Sequence, residues 1–231
     1  MKFETIQSMS EVDQLVDFFE KKILTGELKI GDKLPSERTM AQNFGVSRSV
    51  VNNGLKELSR LGFIKVVPRQ GNYIAKFNED GNLETFNIII NFNGGNYRPS
   101  LLKSIFRARK LFEGDMIMEC NTSTSFVKLN LIYDRFKNEV NSNKKPELGF
   151  DFYHELAVSS NNLVYPLLIL NFKSIYLTLG KWIIQFHDLS QVEKYRDDVV
   201  YYLNERDFEK ARDCNDKLID FCLSELLNRK F

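Results

Sequence analysis

Few residues in this chain could do chemistry beyond packing. There are two histidines, His154 and His187, and three cysteines. Asp151 stands three positions before His154 in the run FDFYHELAVSSNN. On a helix the two share a face, which is how a metal site could begin. Ser159 and Ser160 follow on the same run. A serine and a histidine only five or six positions apart on one helix do not form a nucleophile, base and orienting acid. No glycine-rich phosphate loop or nucleophile elbow is present. Cys120, Cys214 and Cys222 fit no zinc or CxxC spacing and read as reduced thiols. The expectation is therefore no catalytic residue, no cofactor and no enzyme.

A second set of reactive groups lies near the N-terminus: Arg48, Ser49, Asn52, Asn53 and Lys56, all on one side of a helical pattern. Val51, Leu55, Leu58 and Leu61 form the opposite, apolar stripe, which must be buried. The elements needed to hold this helix are legible. Val12, Leu15, Val16, Phe19 and Ile23 recur at helical spacing ahead of it. Pro35 stops what precedes, Ser36 caps a short helix over 37–44, Gly45 makes a turn, and Ser47 caps the next helix to about Leu61. Two helices joined by a short glycine-containing turn predict a helix-turn-helix. The β-rich runs FIKVV and NYIAK around PRQG predict a wing, with Arg69 and Gln70 at its tip. Arginine reads guanine and asparagine reads adenine by paired hydrogen bonds, so this face is expected to enter the major groove of DNA. The wing is expected to reach phosphates or the minor groove.

Composition agrees with such a division. The chain has 231 residues and a net charge of +1. Residues 1–78 carry 12 Lys and Arg against 9 Asp and Glu, whereas the remainder carries 20 against 22. A polyanionic partner thus fits the first part better than the second. The most apolar runs are too short to span a bilayer and the N-terminus has no signal-peptide core, so the expectation is a cytoplasmic protein without membrane contact.

The stretch GDKLPSERTMAQNFGVSRSVVNNGLKELSRLGFIKVVPRQGNYI resembles the winged-helix domain of GntR-type bacterial transcription regulators. The matching positions are Leu34 to Arg38, Gly45 to Arg48, Val51, Leu55, Leu58, Gly62, Gly71 and Tyr73. The resemblance implies DNA contacts by Arg38, Ser47, Arg48, Ser49 and the wing. Two positions depart on the reading surface: Asn52 replaces the family's usual arginine, and Arg69 replaces the first wing glycine. Both departures imply an operator unlike the commonest family sites.

From about Leu101 onward the sequence reads as helix, near 124–140, 148–161, 163–186, 190–204 and 207–228. The expected fold is mostly α: a winged helix-turn-helix over 1–78, a linker with a short connecting element over 79–98, and an antiparallel bundle of six to seven helices over 99–231. Such an order resembles the FadR branch of the GntR family. Many members of that branch hold a divalent metal through D-x-x-F-H on one helix and two further histidines on the last two helices. Here Phe150 occupies the aspartate position, Arg196 matches one histidine, His187 lies outside the penultimate helix, and the last helix has none. No metal is expected. The segment LGFDFYHELAVSSNNLVYPLLILNFKSIYLTLGK is similar to the fatty-acid-responsive members, which lack the metal ligands and bind long-chain acyl-CoA. That resemblance places Arg109 near the coenzyme end of a ligand; in a bundle pocket of this kind His154 could serve the same end and Tyr165 and Tyr176 could orient it. ARDCNDKL stands where those members have a glycine-rich segment for the CoA portion. His154 remains readable either as a hydrogen-bonded core residue or as a ligand contact. The functional expectation is a homodimeric repressor or activator on a palindromic DNA operator, controlled by acyl-CoA or a related apolar acid. The rival expectation is a metal-assisted sensor of organic acids, and the most distant one an enzyme fused to a DNA-binding head.

Overall fold

The computed structural model describes residues 9–92, 98–186 and 189–228. His187 and residues 93–97 of the expected linker lie outside the described residues. The chain divides into two compact units, Met1–Phe92 and Asn93–Phe231.

The first unit opens with α1 (Glu11–Leu24), whose N-cap Ser10 accepts a hydrogen bond from the Asp13 amide. Its apolar side buries Leu15, Val16, Phe19 and Ile23. Next come α2 (Glu37–Phe44) and α3 (Arg48–Arg60), capped by Ser36 and Ser47 and separated by Gly45 in the left-handed region. These are the two helices and the turn that the caps predict. Val51, Leu55 and Leu58 are fully or almost fully buried. Each contributes about 1.5–3 kcal/mol relative to an exposed side chain. Gly54 explains how closely α1 can approach α3: a Cβ there would stand 2.5 Å from a Leu15 methyl.

Strands β1 (Ile64–Val67) and β2 (Gly71–Ile74) pair antiparallel, Ile64 opposite Ile74 and Val67 opposite Gly71. Residues 31–34 lie along the free edge of β2, where the Leu34 amide donates to the Asn72 carbonyl at 2.8 Å. A short turn of helix, α4 (Phe77–Asp80), then leads into α5 (Leu83–Phe92). The start of α5 is tied to the end of α3: Asn82 Nδ2 donates to the Arg60 carbonyl at 2.9 Å, and the Thr85 hydroxyl donates to the Leu61 carbonyl. These bonds satisfy carbonyls that a helix C-terminus leaves open.

Glu20, on α1, is half-buried, and burial together with the neighbouring charges of Asp17 and Glu57 pushes its pKa up to about 7. The folded chain therefore holds this proton more tightly than the unfolded one. Stability conferred by the protonated form is present below about pH 4.5 and is lost as pH rises through 7. Because solvent screens a half-exposed group, we expect E20Q to stabilise the unit by only about 1 kcal/mol at pH 8 and to change little at pH 5. Urea unfolding followed by circular dichroism at the two pH values measures this. Equal effects at both would mean that Glu20 titrates normally.

Among the described residues the second unit forms seven helices: α6 (Pro99–Met118), α7 (Val127–Asn138), α8 (Lys145–Ser159), α9 (Tyr165–Asn171), α10 (Lys173–Phe186), α11 (Ser190–Asn204) and α12 (Phe208–Leu227). The α12 helix packs on α6 and α11, and α8 packs on α7, α9 and α10. The α8 helix buries residues on nearly all sides, including Phe150, Phe152, Tyr153 and Leu156, as a helix at the centre of a bundle must. Its buried Glu155 pairs with Lys128. The single helix expected over 163–186 is instead two, bent by 60° at Phe172. At the break, Asn171 turns its side-chain amide onto the Leu167 carbonyl at 2.9 Å, and the Phe172 ring packs against Phe112 at 6.0 Å. No single helix among the described residues is long and apolar enough to cross a membrane.

Candidate DNA-reading face and effector cavity

The α3 helix presents its polar side to solvent because its apolar stripe is committed to the core of the first unit. The Ser47 hydroxyl accepts from the Val50 amide at 3.2 Å, which fixes the helix start and exposes Arg48 and Ser49 in its first turn. Asn53 is exposed, while Asn52 is half-buried and donates to Glu37 Oε1 at 3.4 Å. Arg38, on α2, is exposed as well. Among the described residues, Arg38, Arg48 and Arg69 form no ion pair, whereas Arg60 at the far end of α3 is held by Glu57 and Glu84. Arg69 and Gln70 are exposed at the wing tip. The Arg69 backbone has φ 64°, the left-handed region in which a glycine is unstrained. An arginine held there costs about 1 kcal/mol, so the wing tip gives up stability to carry a cation.

In the second unit a cavity of about 60 Å³ lies among α6, α7, α8, α10, α11 and α12. Its walls are largely apolar, with Phe150, Leu179, Ile183 and Ile219 prominent. Among the described lining residues three are cations, Arg109, Lys145 and Arg196, and none is acidic. Cys222 is on the wall too, with burial pushing its thiol up to about 11, so it stays a protonated, unreactive group.

Two of the three cations are already neutralised. Lys145 Nζ lies 3.0 Å from Glu193. Arg109 Nε lies 2.7 Å from Glu113 Oε1, which also accepts the Tyr176 hydroxyl at 2.7 Å. Asn215 Nδ2 donates to Glu113 Oε2 at 3.0 Å, and Tyr153 donates to Asn215 at 3.1 Å. Burial by itself would lower the Arg109 pKa; the Glu113 carboxylate outweighs it and holds the guanidinium charged. Burial, then Glu113, raises Tyr176 well above the ordinary tyrosine range, so it remains a donor.

Arg196 differs. It is only 8% exposed, and its Nε and Nη1 have no hydrogen-bond partner. Aromatic faces surround it, with Phe136 at 4.6 Å, Phe152 at 5.5 Å and Tyr153 at 5.8 Å.

Of the four ligand residues expected from the sequence, the structure brings Arg109 and Tyr176 together at the cavity. Tyr165 and His154 are not on its wall. The Tyr165 hydroxyl donates to Asp115, and that bond, then burial, pushes its pKa up to about 12. His154 stacks on Phe150 at 5.8 Å, with Nε2 buried and without a partner. Asp151 is exposed, and the Ser160 hydroxyl donates to the Ala157 carbonyl at 2.7 Å. Among the described residues no three His, Cys, Asp or Glu side chains converge to hold a metal ion. Sequence reasoning missed Glu113, although its position four residues after Arg109 is the spacing of a helical ion pair. It also missed Asn215 as the partner of Tyr153.

A winged helix followed by an all-helical bundle is an architecture shared with known bacterial regulators. The profile of the GntR family of bacterial regulatory proteins matches residues 12–74, and that of the FadR C-terminal domain matches residues 75–218. The chain belongs to the GntR family, in its FadR branch. Among its relatives is the HTH-type transcriptional regulator Mce2R of Mycobacterium tuberculosis, 32% identical over 47% of this chain and 45% of that protein. The chain thus matches less than half the length of that relative. The fatty acid metabolism regulator protein of Shewanella denitrificans is 23% identical over 68% of this chain and 66% of its own length. The solved structure of Lar from Listeria monocytogenes aligns over 100% of both chains at TM-score 0.59 and 14% identity, which establishes the shared fold.

Proposed function

We propose that this chain is a homodimeric, sequence-specific DNA-binding regulator whose affinity for a palindromic operator is set by an apolar acid held in the second unit. In this reading residues 1–78 meet DNA through Arg38, Ser47, Arg48, Ser49, Asn52, Asn53, Arg69 and Gln70. Residues 79–98 connect, and residues 99–231 bind effector and support dimerisation in the cytoplasm. The observation that carries the reading is the set of exposed arginines without ion pairs on α2, α3 and the wing. Free cations there are available to phosphates and guanines, and a two-fold dimer would place two such faces on two half-sites. An effector that binds the DNA-incompetent state better than the competent one would shift the dimer's population.

A cavity whose described lining is largely apolar, with three cations and no acid, supports this effector class. Similarity to a regulator named for fatty acid metabolism supports a long-chain acyl-CoA as one member of this class. At about 60 Å³ the cavity is well below the 300–1,000 Å³ of ordinary ligand pockets, so an acyl-CoA would need the helices around it to part.

The test begins with selection of bound fragments from random duplex DNA, followed by fluorescence anisotropy on the selected site. The reading expects specific binding that weakens steeply with salt and is changed by a fatty acid or its CoA thioester, with CoA alone inactive. Binding without any sequence preference, or specific binding indifferent to every acid tried, would overturn it.

A further inference from the structure

We propose that Arg196 is the anchor for the acid group of a small monocarboxylate with an apolar tail, bound in the cavity of the second unit without a metal. The proposal rests on the effector-controlled reading for its regulatory meaning, but its binding chemistry can be tested without DNA.

The argument starts from charge. A guanidinium is always protonated, and an ionised side chain removed from water is tolerated only when it is paired. Arg109 and Lys145 obey this rule, each with a carboxylate within 3.0 Å. Arg196, 8% exposed, breaks it: two of its nitrogens lack an acceptor. Aromatic faces at 4.6–5.8 Å offset part of the cost. They cannot accept hydrogen bonds as oxygen does, so Nε and Nη1 remain open to a ligand. Among the described residues no acid lines the cavity wall, so a bound anion is the acceptor that suits these donors.

Count and size select the ligand class. One uncompensated positive charge matches one negative charge. A dianion would leave a second charge buried and unpaired, which disfavours phosphate and dicarboxylates. The small volume and the walls of Phe150, Leu179, Ile183 and Ile219 suit a short hydrocarbon body. Gly149 leaves room beside the guanidinium: even a Cβ at that position would remain 3.9 Å from Arg196 Nη1. A carboxylate oxygen placed against these donors forms charge-assisted hydrogen bonds in a site of low dielectric constant, where they are strongest.

The experiment is calorimetric titration of the full chain with acetate, butyrate, hexanoate and octanoate, with hexanamide, hexanol, chloride and phosphate as comparators. We expect the acids to bind, affinity to rise with tail length until the cavity is filled, and the comparators to bind at least about 10-fold more weakly than hexanoate. R196M should weaken hexanoate binding by about 100-fold or more, as loss of one partner from a buried charged pair does, and R196K by less, because the charge remains while the fork geometry is lost. Without ligand, R196M should melt at or above the temperature of the parent, since it removes an unpaired buried charge. Three results would each overturn the proposal: undiminished binding by R196M, binding of inorganic anions as tight as hexanoate, or no binding of any acid by the parent. A lower melting temperature for ligand-free R196M would also overturn it, by showing the guanidinium to be a structural member. Acid binding through Arg196 that leaves DNA affinity unchanged would sustain the anchor and defeat the regulatory reading. DNA release by an acyl-CoA that is insensitive to R196K and R196M would do the reverse.

Discussion

E113A is expected to destabilise the helical unit by about 3–5 kcal/mol, the cost of leaving a buried charge without its partner. Glu113 is fully buried and accepts from Arg109 Nε at 2.7 Å, the Tyr176 hydroxyl at 2.7 Å and Asn215 Nδ2 at 3.0 Å. Alanine would strand all three donors at once. The Arg109 side chain is only 13% exposed and faces the rings of Phe106, Tyr153 and Tyr176, so it has little water to turn to. E113Q keeps the shape and loses the charge, and should fall between parent and alanine. The double change R109M with E113L removes both charges into apolar volume and should recover most of the loss. Trp182 lies on α10 of the same unit, so its fluorescence during urea unfolding reports the relevant transition. An E113A unfolding free energy within about 0.5 kcal/mol of the parent would show that Glu113 does not hold the network together.

The contrast with Arg196 sharpens that expectation. Both arginines are buried in one unit against aromatic rings, yet mutating around them should have opposite signs. Removing the partner of Arg109 creates an unpaired charge, whereas R196M removes one. A bundle in which both changes destabilise equally would be held by packing of the long side chains and not by their charges.

Local chemistry was the readable part of the sequence. Ser36, Gly45 and Ser47 specify their caps and turn through hydrogen bonds to residues three or four positions away, so α2 and α3 could be placed closely from the residues alone. The helices of the bundle were legible for the related reason that apolar periodicity is local. The bend at Phe172 was not, because neither glycine nor proline marks it. It depends on where a phenylalanine ring and an asparagine amide find partners. The cavity was legible only in part. Arg109 and Tyr176 meet there through Glu113, but Asn215 joins them from 102 positions away, a separation that no spacing rule reaches. The open donors of Arg196 have no sequence signature of any kind. They emerge only when every acceptor around the side chain has been counted in three dimensions.

R48A should weaken binding to the selected operator by about 10- to 100-fold and relax preference at one base pair per half-site, as removal of a bidentate pairing with a base worth about 1–3 kcal/mol would. Arg48 opens α3 directly after its cap, is exposed and has no ion pair to break before it can meet DNA. R69A should act differently. A wing cation that meets phosphate weakens specific and random DNA alike when it is removed. It also flattens the dependence of log K on log salt by about 0.9 for each phosphate no longer neutralised, twice that in a dimer. Because Arg69 sits at φ 64°, R69G adds a useful arm: it relieves the backbone while removing the charge, so a more stable protein with weaker DNA binding is expected. R60A serves as the comparator, since Arg60 is exposed on the same helix but held by Glu57 and Glu84. Anisotropy titrations of the four variants at three salt concentrations separate these outcomes. If R48A bound as tightly as the parent while R60A did not, the reading face would lie at the other end of α3.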